Sequence, residues 1–111
     1  MEIATREFKR CAAVEVSGRI DSATAPQLAA VLNEFTDEGQ YNLVLDMSGV
    51  DFISSAGLRV LIDTQKTCRR LNRGALVLAE VPERIYDAFE LAGFVPLFDF
   101  HDKVVGAVGS F

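Results

Sequence analysis

The chain has no tryptophan, one histidine and two cysteines among its 111 residues, and each scarcity closes off a class of chemistry. A single imidazole, His101, is too little for a histidine-based metal centre, and it is expected to sit at the surface as an ordinary polar residue. Cys11 and Cys68 belong to no metal-ligand spacing, so they read as free buried thiols of a reducing compartment. Basic residues are outnumbered by acidic ones, 11 against 16. The formal net charge of −5 argues against nucleic acid or an anionic membrane as the main partner. No apolar run approaches the roughly 18 residues of a spanning helix. The start, MEIATREFKRCAAV, is broken by charges before any long apolar stretch, unlike a signal peptide, so a cytoplasmic protein is expected. Linkers, repeats and low-complexity stretches are missing too. One domain over residues 1–111 is therefore expected, close to the commonest domain size.

Half of the residues are hydrophobic, enough for a real core, and their spacing outlines the elements. Residues 1–9 alternate loosely (Ile3, Thr5, Phe8), as an edge strand would. Cys11 to Ser17 reads as a strand, with Gly18 as the turn after it. Thr24 caps a predicted helix through Asp37; Pro26 suits its first turn, Leu28, Val31, Leu32 and Phe35 recur at helical spacing, and Gly39 ends it. Asn42 to Met47 is almost continuously apolar, the pattern of a parallel strand covered on both faces. A loop, SGVDFIS, then leads into a helix from Ser55 to Asn72. Leu58, Leu61, Gln65, Cys68 and Leu71 form its inward stripe, and Arg59, Asp63, Lys66, Arg70 and Arg73 its outward one, with Asp63 placed to pair with Arg59 and Lys66. Gly74 precedes the strand Ala75–Ala79. A third helix starts near Pro82, faces inward through Ile85, Ala88, Phe89 and Leu91, and ends at Gly93 with Phe94 suited to a Schellman contact. Leu97 to Phe100 is a last strand, and Asp102 caps a final helix through Val108. The order β-β-α-β-α-β-α-β-α predicts an α/β fold with helices packed on a mixed, largely parallel sheet, its first two strands antiparallel.

In such a sheet, ligands and partners meet the carboxyl ends of the strands. The segment from Asp46 to Gly57 occupies that place. Asp46 is expected where the central strand ends, and Ser54 and Ser55 at the mouth of the next helix, with Ala56 and Gly57 opening access to backbone N–H groups. Helix N-termini carry unpaired donors and partial positive charge, so a phosphorylated serine there keeps its own helix intact. Plain N-capping competes with this reading, but capping needs only one of the two serines, and the other is then free to point outward.

The run LVLDMSGVDFISSAGLRVL, from Leu43 to Leu61, closely resembles the signature of the STAS domain, named for sulphate transporters and anti-sigma factor antagonists. Gly18-Arg-Ile-Asp21 followed by Thr24 resembles that family's second marker, and the order of elements fits from end to end. The resemblance implies a stand-alone anti-sigma factor antagonist without catalysis, cofactor or metal, existing as a monomer or weak homodimer. In such members the serine two places before the glycine is phosphorylated by an anti-sigma factor that is also a serine kinase. That position is Ser55 here. The unphosphorylated form binds the kinase and frees the sigma factor, and a phosphoserine phosphatase resets the cycle. Family members commonly carry aspartate immediately before this serine; Ser54 stands there instead and is the second choice of acceptor. Asp21 and Asp46 match family positions near the phosphorylation loop, where they would hydrogen-bond Ser55 or meet the partner. Thr24, Ala56, Gly57 and Arg59 complete the expected partner surface.

Rival readings find less support. A serine hydrolase would want a Gly-x-Ser-x-Gly elbow and a nearby base. Nucleotide binding would want a P-loop. A phospho-aspartate receiver would want an acidic cluster after its first strand, where this chain has Val16-Ser17-Gly18. A constitutive STAS scaffold within a larger assembly is the alternative that the missing aspartate keeps open.

Overall fold

The computed structural model describes all of residues 1–111. Strand β1 (Glu2–Glu7) lies antiparallel to β2 (Ala12–Ile20), with Glu2 opposite Ser17 and Glu7 opposite Ala12. Helix α1 (Ala25–Asp37), strand β3 (Asn42–Ile53), helix α2 (Ser55–Arg69), strand β4 (Ala75–Ala79), helix α3 (Glu83–Leu91), strand β5 (Phe100–His101) and helix α4 (Val104–Gly109) follow. The sheet order is β1-β2-β3-β4-β5, and every pair after the first is parallel. The mixed, largely parallel α/β sheet expected from the alternation of elements is what the chain forms.

Sequential strand order with right-handed crossovers puts α1, α2 and α3 on one face. Alternation along the strands divides the side chains accordingly. Val14, Val16, Leu43, Leu45, Met47, Leu76 and Leu78 meet the three helices in a core of 19 buried residues. On the other face, Cys11, Ala13, Val44, Val77 and Ala79 form a cluster of 6 with Ala107 of α4, against which the half-buried Phe8, Val104, Val108 and Phe111 pack. One face therefore carries most of the apolar burial, at roughly 25 cal/mol per Å².

Several boundaries differ from the sequence reading, each for a physical reason. β2 continues past Ser17 to Ile20, so Gly18 is no turn: it sits inside the strand at φ +90°, next to a register shift that only a residue free of Cβ strain accommodates easily. β3 likewise does not stop at Met47. The expected loop SGVDFIS is strand as far as Ile53, because β2 goes on offering a ladder (Ser17 opposite Gly49, Ile20 opposite Ile53) and because Val50 and Ile53 still bury inward.

Helix α2 ends at Arg69 and a single 3-10 turn, Arg70–Asn72, follows, with Leu71 and Asn72 both in the left-handed region. Leu71 thereby leaves the inward stripe and is 84% exposed. Leu91, in the last turn of α3, also faces water rather than the core. Asp63 makes neither expected ion pair; the pairs formed are Arg19–Asp21 at 3.7 Å and Arg69–Asp99 at 4.0 Å. The Schellman end of α3 is present, with Phe94 N–H donating to Phe89 O at 2.9 Å and Gly93 N–H to Glu90 O at 3.0 Å.

The stretch Val95–Leu97 is 3-10 helix, which moves β5 to Phe100–His101. His101 is accordingly a half-buried strand residue, its carbonyl accepting from Glu80 N–H. Asp102 does not cap α4; Glu80 reaches across and its Oε2 accepts from Val104 N–H at 3.2 Å.

Candidate functional site

The site is built where β2 and β3 end together. Ser54 N–H donates to the Ile20 carbonyl at 2.8 Å, which ties the start of α2 to the end of β2 and brings Asp21 beside the two serines. Ser54 has extended backbone (φ −91°, ψ 174°) and its Oγ accepts from Gly57 N–H at 3.3 Å, so it is the N-cap of α2. Ser55, the first residue of the helix, is exposed. The two hydroxyls are thus divided between a structural and an outward position, as capping by one serine allows.

Gly57 plays a different part from the one expected. It is buried, and an added Cβ would lie 2.7 Å from Ile20 Cγ2 and 2.8 Å from Ile53 Cγ1. The glycine lets the first turn of α2 press against the strand ends rather than exposing backbone amides. Ala56 is half-buried beside it and Arg59 is exposed one turn along.

Asp21 organises the neighbouring turn. Its Oδ1 accepts from Thr24 N–H at 3.1 Å and Ala23 N–H at 3.0 Å, the Asx geometry that opens α1. Thr24 stands at the N-cap position but its side chain caps nothing in the helix. Its Oγ1 accepts from Asp21 N–H at 2.9 Å and donates to the Arg19 carbonyl at 2.8 Å, with Asp21 Oδ1 also in reach at 3.2 Å. The hydrogen bond from Thr24 N–H above all, then Ala23 N–H, the Thr24 hydroxyl and Arg19, holds the Asp21 carboxyl below the usual carboxylate range against an opposing desolvation. Asp21 is therefore an anion at neutral pH. The Arg19 guanidinium also stacks on Phe52, 4.3 Å from the ring centroid, and Phe52 is 39% exposed. This aromatic was not singled out from the sequence; its position in a presumed loop concealed that β3 would present it beside Arg19.

Asp46 does not join the site. With β3 extended to Ile53, Asp46 lies seven residues back, roughly 20 Å along the strand. It also faces the α4 side of the sheet, lining a small cleft with Arg6, Glu15 and Val104, while its Oδ1 accepts from Ser48 N–H at 3.0 Å. A hydrogen bond to Ser55 is out of reach. The misplacement follows from ending the strand where its apolar run ends, although pairing continues. Ser54, Ser55, Ala56, Gly57, Arg59, Asp21 and Thr24 do come together at one end of the sheet. No group of three or more His, Cys, Asp or Glu side chains is arranged to hold a metal ion.

A mixed five-stranded sheet with this site at the mouth of α2 defines a class. The STAS domain family model matches residues 2–107, and the chain belongs to that family. Within it the chain stands with the anti-sigma factor antagonists. It is 38% identical over 96 residues to BtrV of Bordetella bronchiseptica, a candidate anti-sigma factor antagonist, covering 86% of this chain and 82% of that one. The anti-sigma-B factor antagonist of Staphylococcus epidermidis is 28% identical over 89 residues, covering 80% and 82%. Among solved structures, a candidate anti-sigma factor antagonist of Thermotoga maritima superimposes with a TM-score of 0.90 at 17% identity, over 97% of this chain and 92% of that one. No helix is long and apolar enough to cross a membrane.

Proposed function

We propose that the chain is an anti-sigma factor antagonist that acts as a phosphorylation-switched binding module in the cytoplasm. Unphosphorylated, it binds an anti-sigma factor that is also a serine kinase; phosphate on Ser55 releases that partner, and a phosphoserine phosphatase restores the binding form. The observation that carries this is the division of labour at the helix mouth. Ser54 is occupied as the cap, whereas Ser55 is exposed one residue later and has no part in holding the fold. The names of the similar proteins point the same way. SpoIIAA of Bacillus, whose phosphorylated form superimposes with a TM-score of 0.77 at 14% identity over 98% of both chains, shares this fold in a phosphorylated state.

A phosphate on the first residue of α2 adds about −1.5 to −2 charge where the helix dipole favours it, so the domain survives modification. The partner must then desolvate that charge in an interface that already contains the Asp21 anion. The cavity that Ser55 lines contains no histidine to activate its hydroxyl; its ionisable members besides Arg59 are Asp63 and Lys66, two to three turns further along α2. Incubation with ATP and an anti-sigma serine kinase, followed by fragmentation mass spectrometry, tests the assignment. A single phosphate on Ser55 is expected. Phosphate on Ser54 would move the switch to the second-choice acceptor, and none at all would favour a scaffold that binds constitutively, for which the absence of aspartate before Ser55 is the specific ground.

A further inference from the structure

Ser55 stands at one end of a groove that continues well beyond it. The groove runs between α2 and the segment joining α3 to β5. Its first half holds about 350 Å³ over Leu58, Ile62 and Phe94, and its second about 240 Å³ over Ile62, Pro96 and Leu97. The two halves share Ile62 and Lys66 and are therefore one trough. Along α2, Ser55, Arg59, Ile62, Lys66 and Arg69 follow one another at steps of four, three, four and three, which is a single helical stripe. From Ser55 to Arg69 that stripe spans roughly 21 Å at 1.5 Å per residue.

The charge on this trough opposes that of the molecule. The chain carries −5 overall, yet the trough presents Arg59, Lys66 and Arg69, all exposed, against Asp63 as the single acid in its lining. Arg59 and Lys66 form no ion pair, and Arg69 reaches only Asp99, at 4.0 Å. Apolar floor remains open between the cations: Leu97 is 44% exposed and Ile62 half-buried. Helix-in-groove recognition uses this combination, an apolar floor for anchor side chains and a charged rim that fixes orientation.

We propose that this groove docks an acidic segment of the partner protein, with apolar side chains seated over Ile62 and Leu97 and carboxylates meeting Arg59, Lys66 and Arg69. The proposal rests on the binding-module reading and adds to it what the partner presents. It also gives phosphorylation a second effect. Ser55 and Arg59 line the same half of the trough one helical turn apart, so a phosphate on Ser55 competes with the partner's carboxylates for Arg59.

The probe is a fluorescent 15-residue peptide carrying Leu at helical i, i+4 and i+7 positions and Glu elsewhere, alongside a twin with Lys for Glu. With ¹⁵N-labelled protein, the acidic peptide is expected to shift the amide signals of Ile62, Lys66 and Leu97, and the basic twin to shift none of them. Lys66→Glu combined with Arg69→Glu, both exposed and remote from the cap, is expected to weaken acidic-peptide binding at least tenfold in a protein that stays folded, its melt lowered only modestly by the acids placed in the last turn of α2 and beside Asp99. Raising salt from 50 to 300 mM is expected to weaken it too. Equal binding of both peptides, shifts confined to another face, or indifference to the double charge reversal would overturn the proposal. An anti-sigma serine kinase run in parallel separates the two readings. If it still binds and modifies Ser55 while the charge reversal has no effect, the groove assignment falls and the switch stands. If the groove takes the acidic peptide but no such kinase binds, the switch falls.

Discussion

Ser54 and Ser55 show how adjacent identical residues acquire different duties from backbone geometry alone. The extended Ser54 turns its Oγ back to Gly57 N–H, while Ser55 already has helical backbone and projects outward. Ser54→Ala is expected to cost about 1 kcal/mol, a melting-point drop of about 4–8 °C, while Ser55 remains a substrate. Calorimetry with a phosphorylation assay checks both halves, and loss of phosphorylation without loss of stability would reverse the assignment. The split between a capping and an outward serine was legible in the sequence, because a cap needs one hydroxyl and two were present. The role of Gly57 was not: only the packed structure shows Ile20 and Ile53 filling the space that a Cβ would need. Asp46 was misread for a related reason, since nothing local in a sequence reports how long a neighbouring strand goes on pairing. Asp21 lies at the end of β2 beside the start of α2, and its hydrogen bonds give it a defined pH behaviour. Its carboxyl is held low in the folded state, so its contribution is present above the usual carboxylate range and lost as pH falls through the folded value.

At the scale of elements, helix-to-sheet contacts rest on a few polar side chains as well as on apolar stripes. Gln65 is buried in α2, with Oε1 accepting from Leu76 N–H at 2.7 Å and Nε2 donating to the carbonyls of Leu76 at 3.0 Å and Leu97 at 2.9 Å. β5 reaches β4 only at Leu78 and Ala79, so Gln65 substitutes for the missing ladder on Leu76 and ties down the segment before β5. Gln65→Leu keeps the volume but orphans those groups, and a loss of about 1–3 kcal/mol in urea unfolding is expected. A neutral result would show that water replaces the amide.

Cys68 lies one turn further along the same stripe. Burial, only partly offset by Arg73, pushes its thiol up to about 11 from 9.0. Because the folded state holds the proton more tightly, stability is present below pH 9 and declines as pH rises between 9 and 11. Cys68→Ala should lose that decline, seen in melts across pH 8–11, and the native thiol should resist a disulfide reagent at pH 8. Rapid labelling under native conditions would contradict the burial. The helices were largely legible because 3.6-residue periodicity and caps are local signals. The ends of α2 and β5 were not, since they depend on a left-handed turn at Leu71 and a 3-10 turn at Val95–Leu97. The Glu80 cap on α4 spans 24 residues and leaves no local trace at all.

For the whole molecule, sequential strand order places the helix mouth at the end of the sheet, where Ser54 and Gly57 hold the structure and Ser55 is left exposed. Three helices cover one face and bury the larger core, while the exposed Ser55 sits where β2 and β3 end, outside that core. The fold class was legible from the alternation of strands and helices, whereas the long β2–β3 extension that carries Phe52 and the serines outward was not. Under the proposed switch, a charge at Ser55 is expected to alter binding without altering the fold. A desolvated, unpaired charge at an interface costs on the order of 2–5 kcal/mol, or roughly thirty- to several-thousand-fold in affinity, against the 0.3–1 kcal/mol of helix stabilisation the same charge brings. The decisive measurement is isothermal titration of an anti-sigma serine kinase with the unmodified protein, Ser55→Ala and Ser55→Asp, each with its thermal melt. Ser55→Ala is expected to melt with the unmodified protein and Ser55→Asp no lower, with Ser55→Ala binding like the unmodified protein and Ser55→Asp binding at least thirtyfold more weakly. Ser55→Asp binding as tightly as the unmodified protein, with its fold intact, would contradict the switch.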